Sequence, residues 1–237
     1  MGRFFSLDSP AMRFMGKVAD LICLNFLALF CCIPIFTIGA SLTALNYVAL
    51  KIVRDEEDYI TRAFFKSFKE NFKQATIAWL IMLVMMVVLA ADFVIYNFSE
   101  IEMEIPSWVK TALLIVSFIL MFATMHVFPL LARFENTIKS LFKNSLFMGL
   151  LTIIRTVAMM LCWLIPVAAT VLVPRILPVI VCFGLSGPVY LNALLYNKTF
   201  KKYEPEEKEE LSDEWHVEEE ETEEIEETEE PEVEVEV

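Results

Sequence analysis

The sequence predicts an all-α, polytopic membrane protein with about six transmembrane helices, or five plus a re-entrant hairpin, and two cytoplasmic amphipathic helices at the interface. The first observation behind this is apolar length. Of 237 residues, 57% are hydrophobic, above the roughly 45–50% usual in soluble domains. The excess falls in long uncharged runs, each near the ~20 residues a helix needs to cross ~30 Å of hydrocarbon. The second is the placement of Lys and Arg, which gather in alternate connections. The third is an acidic appendage. The formal net charge is −13, yet residues 203–237 hold 20 Asp/Glu and one Lys. The residues before them carry 18 Lys/Arg against 12 Asp/Glu, so the apolar part is basic.

Residues 21–50 are uncharged over 30 positions. As one helix they would measure about 45 Å, too long for a single crossing without strong tilt. Pro34, Thr37 and Gly39 supply a break. The expectation is a tight helical hairpin, roughly 18–35 and 37–53, pinned by Lys17 and Lys51, whose stems can reach the interface. Further spans are expected at about 75–97, 109–130, 149–173 and 176–197. Within them 75–91, 111–132, 156–174 and 176–197 contain no Asp, Glu, Lys or Arg. Residues 201–237 read as a disordered, low-complexity acidic tail.

Six crossings with both termini cytoplasmic put 15 Lys/Arg inside and leave Lys110 and Arg175 outside. Five crossings move Arg3, Arg13 and Lys17 outward and give 12 against 5. The positive-inside rule prefers six, and a re-entrant hairpin in place of the first pair preserves the same sides. The outer loop 98–108 is then acidic, with Glu100, Glu102 and Glu104, and Trp108 lies at the interface.

Residues 59–73 space Ile60, Phe64, Phe68 and Phe72 four apart, with Arg62, Lys66, Lys69 and Lys73 mostly elsewhere around the helix. Such a basic amphipathic helix suits anionic inner-leaflet lipids or a docking partner. Residues 131–147, with Lys139, Phe142 and Lys143, resemble it. Lys66-Ser67-Phe68 and Asn71 match Lys139-Ser140-Leu141 and Asn144 at an offset of 73. Each copy follows an inward span and precedes an outward one, the pattern of a parallel internal repeat.

Three stretches carry a family resemblance: GASLTALNYVALKIVRDEEDYI at 39–60, FFKSFKENFKQATIAWLI at 64–81 and ARFENTIKSLFKN at 132–144. RFFSLDSPAMRF and DLICLNFLALFCCIPIFTIGAS agree with it, so about residues 3–200 are covered. The chain resembles the YesL family (DUF624), bacterial multi-pass membrane proteins of unknown function. The resemblance implies a Firmicutes-type cell membrane and a transport-associated component linked to carbohydrate uptake, with a carbohydrate permease or another membrane protein as partner. The alternative is a non-transporting scaffold or signalling partner that docks a cytoplasmic protein on the basic amphipathic helices. It implies no catalytic residues. The long acidic tail departs from the usual family length.

The candidate intramembrane polar site is Asn46, Asp92, His126 and Asn192. Carboxylates and imidazoles inside a membrane mark functional sites when they face a cavity, and mid-helix amides, Asn25 among them, bond between helices. Asp92 lies near the outer boundary, His126 just before Pro129, and Arg155 close enough to a helix start to snorkel. Gly184-Leu185-Ser186-Gly187 has the GxSG form of an intramembrane serine nucleophile, but His126 precedes Ser186 in the chain and lies at another depth, so no enzyme is expected. The two glycines and Pro188 suit close packing or a kink. Cys23, Cys31, Cys32, Cys162 and Cys182 all lie in apolar runs and read as reduced, buried thiols. No cofactor or metal is expected, because a Walker A loop, HExxH and zinc-type spacing are all missing, and the acidic tail argues against a nucleic-acid partner. The N-terminus does not read as a cleavable signal, since its apolar run is too long. MGRFFS fits an acylation pattern that is short enough to arise by chance.

Overall fold

The computed structural model describes residues 10–56, 59–98, 107–134, 137–173, 175 and 177–203. The acidic tail from 204 onward, the acidic loop 99–106, Arg3 and Ser9 lie outside the described residues. The chain divides into two compact units, 1–198 and 199–237. Of the second only 199–203 are described, and they are helical.

Among the described residues every element is a helix. They are α1 (Pro10–Cys31), a 3-10 turn (Ile35–Thr37), α2 (Ile38–Arg54), α3 (Ile60–Phe98), α4 (Ser107–Arg133), α5 (Ile138–Leu151), α6 (Ile153–Leu172), α7 (Leu177–Phe183) and α8 (Ser186–Tyr203). Five are long and apolar enough to cross a membrane: α1, α2 with its leading turn, α3, α4 and α6. A sixth joins them if α7 and α8, bent by 50°, form one broken span. The protein is a helical membrane protein.

The first hairpin breaks where proline and threonine demand it. Pro34 takes an extended conformation, which ends α1. The Thr37 hydroxyl lies 2.6 Å from the Cys31 carbonyl, at the end of α1, and 2.7 Å from that of Pro34, which also accepts the Thr37 N–H. The Ser41 hydroxyl donates to the Ala28 carbonyl at 2.9 Å and ties the two helices together. α2 stops at Asp55, which adopts φ 57°, a left-handed cap that aspartate tolerates. Lys51 and Arg54 in its last turn complement the helix dipole. At this foot Lys17 Nζ lies 2.6 Å from the Asp55 carboxylate. The bond and charge of Lys17 hold that carboxyl below its usual range.

α3 corrects one sequence expectation. Residues 59–73 do not form an interfacial helix separate from the third span; α3 runs unbroken for 39 residues, about 58 Å. It has no Gly or Pro to stop it, and one buried stripe runs through both halves: Ala63, Phe64, Ser67, Ala75, Ala78 and Met82. Phe64 is fully buried in the bundle, with Phe68 stacked beside it and Phe72 tilted against Phe68. Arg62, Lys66, Lys69 and Lys73 are exposed.

Gly39 sets the register of the hairpin on α3. A Cβ there would fall on the Ala75 carbonyl and the Trp79 side chain. Trp79 Nε1 donates to the Ile35 carbonyl at 2.8 Å. The hairpin therefore lies along the first half of α3, with its tip at Trp79. The 19 residues from there to Phe98 rise about 28 Å further. The tip itself is apolar and exposed: Ile33 is 72%, Ile35 64% and Phe36 53% accessible.

The second amphipathic stretch is also redrawn. Residues 131–133 end α4, and the helix proper starts at Ile138 behind Thr137, whose hydroxyl accepts from the Ser140 N–H. Lys139 and Lys143 are exposed and Phe142 is half-buried. The two repeat copies share a local bond: Asn71 reaches Ser67 Oγ at 3.4 Å, and Asn144 reaches Ser140 Oγ at 3.2 Å. Past that bond the copies diverge. α3 continues, whereas α5 ends at Thr152 and α6 starts anew. The last expected span, 176–197, is broken after Phe183.

Candidate functional site

Two of the four candidate polar residues share one pocket. Asn46 on α2 and Asn192 on α8, both buried, face a cavity of about 150 Å3 between α2, α3, α4, α6 and α8. Its walls are largely apolar, with Trp79 and Trp163 among them. Asn46 is already committed. Its Nδ2 donates to the Leu42 carbonyl at 2.8 Å, and the single proton of the Tyr196 hydroxyl lies between its Oδ1 at 3.3 Å and its backbone carbonyl at 3.4 Å. Asn192 Oδ1 has no hydrogen-bond partner among the described residues.

His126 does not line this pocket. Its Nε2 lies 2.9 Å from Thr156 Oγ1, which also lies 3.1 Å from the carbonyls of Gly149 and Thr152. A hydroxyl has one proton. Given to a carbonyl, it makes Nε2 the donor and leaves Nδ1 a bare acceptor, and Nδ1 has no partner among the described residues. His126 thus joins α4 to the α5–α6 junction; a Cβ at 149 would meet the Phe122 carbonyl tightly at 3.3 Å and the His126 ring at an ordinary 3.5 Å. Asp92 is half-buried in the far half of α3, 13 residues or about 20 Å along the axis from Trp79. It takes no part in the pocket.

Asn25, expected to bond between helices, does so at the break between α7 and α8. Its Nδ2 donates to the Val181 carbonyl at 2.7 Å, and its Oδ1 accepts from the N–H groups of Leu185 and Ser186 at 2.9 and 3.0 Å. One amide replaces the backbone bonds that the bend removes. Ser186 Oγ is buried without a partner among the described residues, and the His126 ring bonds Thr156 instead, so the geometry assembles no serine–histidine pair.

A second, larger recess of about 900 Å3 opens at the charged end of the bundle. Lys73, Glu70 and Asn71 of α3 line it, with Tyr47 of α2, Arg133 of α4 and Thr137 before α5. Sequence reasoning found Lys73 there and missed the rest, since nothing in the pattern showed that α4 ends beside the α3 stem. It also missed Trp79, Trp163 and Thr156. Pro129 was one available signal: it cannot donate to the Met125 carbonyl, and both residues line the smaller pocket. Among the described residues no group of three His, Cys, Asp or Glu could hold a metal ion. The cysteines form no disulfide, and they are not buried as expected, since Cys23 is exposed and Cys31, Cys32, Cys162 and Cys182 are half-buried on apolar helices.

A family model described as "Protein of unknown function, DUF624" matches residues 21–93 and supports a place in that family. The match runs from α1 into α3, the segment that contains the hairpin and its register on α3. No curated protein and no solved structure matches the chain.

Proposed function

We propose that the protein is a non-transporting membrane scaffold that docks a partner on the basic stem of α3, in the setting of carbohydrate uptake. The observation that carries the docking reading is the stem itself. On its apolar stripe Phe64 is fully buried and Ile60, Phe68 and Phe72 are half-buried, while Arg62, Lys66, Lys69 and Lys73 stand exposed on the same helix. Exposed cations of one sign steer and orient acidic partners, and anionic lipids of the inner leaflet are attracted by the same charges. Autonomous transport has less support, because the largely apolar pocket of about 150 Å3 that Asn46 and Asn192 share is below the ~300–1,000 Å3 of ordinary ligand sites, and the larger recess lies at the charged end of the bundle. The carbohydrate setting and the bacterial cell membrane rest on the family resemblance alone. No enzymatic activity is proposed.

In this reading the charged end faces the cytoplasm, and the α1–α2 hairpin enters the membrane from that side without leaving by the other. An apolar exposed tip suits hydrocarbon rather than an outer surface. The test is co-purification of the full chain with a carbohydrate permease. Arg62→Glu, Lys66→Glu, Lys69→Glu and Lys73→Glu combined should abolish it while the protein still inserts. Sugar flux into liposomes holding only this protein would overturn the scaffold reading.

A further inference from the structure

Beside the pocket shared by Asn46 and Asn192 lies a buried acceptor with no donor among the described residues. Asn192 is 3% exposed, lines the pocket, and its Oδ1 is unpartnered among the described residues. A buried polar atom left in this state is destabilising, so a donor that reaches it from the pocket relieves it. The other wall groups sharpen what kind of donor. Asn46 spends its amide on Leu42 and Tyr196, and the Thr124 hydroxyl donates to the Met121 carbonyl at 2.7 Å. The side-chain acceptor here without a donor among the described residues is Asn192 Oδ1. Met125, whose carbonyl Pro129 leaves without its helical donor, and the rings of Trp79, Phe128 and Trp163 line the same pocket.

Size and charge narrow the occupant further. A dry, apolar cavity near 150 Å3 holds a benzene-sized molecule, and this pocket measures about 150 Å3. Its wall has no ionisable side chain, so a charged ligand would lose its hydration without a counter-ion. A sugar would bring several hydroxyls to one free side-chain acceptor. We infer that this pocket binds a neutral aromatic molecule of phenol size, which donates one hydrogen bond to Asn192 Oδ1 and stacks among the three rings. The inference stands apart from docking on the α3 stem, and either can fail without the other.

The test uses the full chain in lipid nanodiscs, with 4-fluorophenol as the probe followed by fluorine NMR against empty nanodiscs. Saturable binding is expected, displaced by phenol at least tenfold better than by anisole, which has the ring and no O–H. That comparison needs no variant. Asn192→Leu should weaken 4-fluorophenol at least tenfold and leave 4-fluorotoluene unchanged or tighter. No saturable binding beyond the empty nanodiscs would mean that the pocket holds water only and would overturn the inference. So would equal displacement by phenol and anisole, or equal 4-fluorophenol affinity in wild type and a folded Asn192→Leu.

Discussion

Asn25 shows what one side chain supplies when a helix is broken inside a membrane. Without water, the Val181 carbonyl and the N–H groups of Leu185 and Ser186 have only the protein to bond with, and Asn25 serves all three. Asn25→Leu keeps the approximate volume and orphans those groups. A single interhelical hydrogen bond in a membrane is worth ~0.6 kcal/mol on average and at most ~1.7. The loss of three predicts about 2–3 kcal/mol, measured by reversible unfolding in mixed micelles; a change under about 0.5 kcal/mol, less than one average bond, would show that the break is satisfied otherwise. The amide's bonding role was legible in the sequence, because a buried mid-helix asparagine must bond somewhere. Its partners were not, since Asn25 and Leu185 are 160 positions apart and no local pattern links them. The same limit applied to His126. Its character as a packing residue could be argued from the sequence, while Thr156 as its partner required the fold.

At the scale of the element, α3 explains why charge is a poor guide to helix ends. Charged residues stop at Lys73 and the apolar run begins at Ala75, so composition suggests two elements. Backbone chemistry sees no Gly, no Pro and a continuous buried stripe, so it makes one helix. Two predictions belong here. Gly39→Ala places a methyl against the Ala75 carbonyl, a backbone atom that no rotamer change can move aside. It should cost about 1–3 kcal/mol by overpacking, seen as a lower melting temperature, and Trp79→Leu should not rescue it. The foot of the hairpin should respond to acid. Asp55 titrates below its usual 3.8 because Lys17 bonds it and attracts its charge, with Arg13 adding to the attraction. A depressed folded-state pKa gives stability that is complete above the ordinary value and lost as pH falls through the folded one. Amide exchange in the first turns of α1 should therefore rise below about pH 4 and rise earlier at high salt. In Asp55→Asn, which also tolerates the left-handed cap, that pH dependence should disappear.

The molecule as a whole poses a question of level rather than of number. Apolar lengths in the sequence count helices well, and five or six are present. They do not say at what height each helix stands, because a run of about 20 apolar residues fits a crossing and a packed core alike. Height is set by contacts between distant residues: Trp79 to Ile35, Trp79 to Phe128 with ring centroids 6.4 Å apart, and Lys17 to Asp55. Together they lay α1 and α2 along one half of α3, and leave its other half to the α4 residues before Phe128. At about 58 Å, α3 exceeds the ~30 Å hydrocarbon layer, so its two halves cannot both lie within one bilayer. If 75–97 fills the hydrocarbon, the hairpin tip at Trp79 lies only a few residues past the entry face. If the hairpin crosses fully, the apolar far half of α3 must project beyond the membrane, at the cost of exposing Val84, Val87 and Val88, all of which are accessible. The first arrangement keeps those side chains in lipid and leaves the charged stem in water. It predicts that Phe36→Cys, in a chain whose five native cysteines are replaced by serine or alanine, resists a membrane-impermeant maleimide from either side of inverted and right-side-out vesicles. Tyr59→Cys, on the exposed turn before α3, should label from the cytoplasmic side alone. Labelling of Phe36→Cys from the external side would place the tip through the membrane and make the hairpin two full spans.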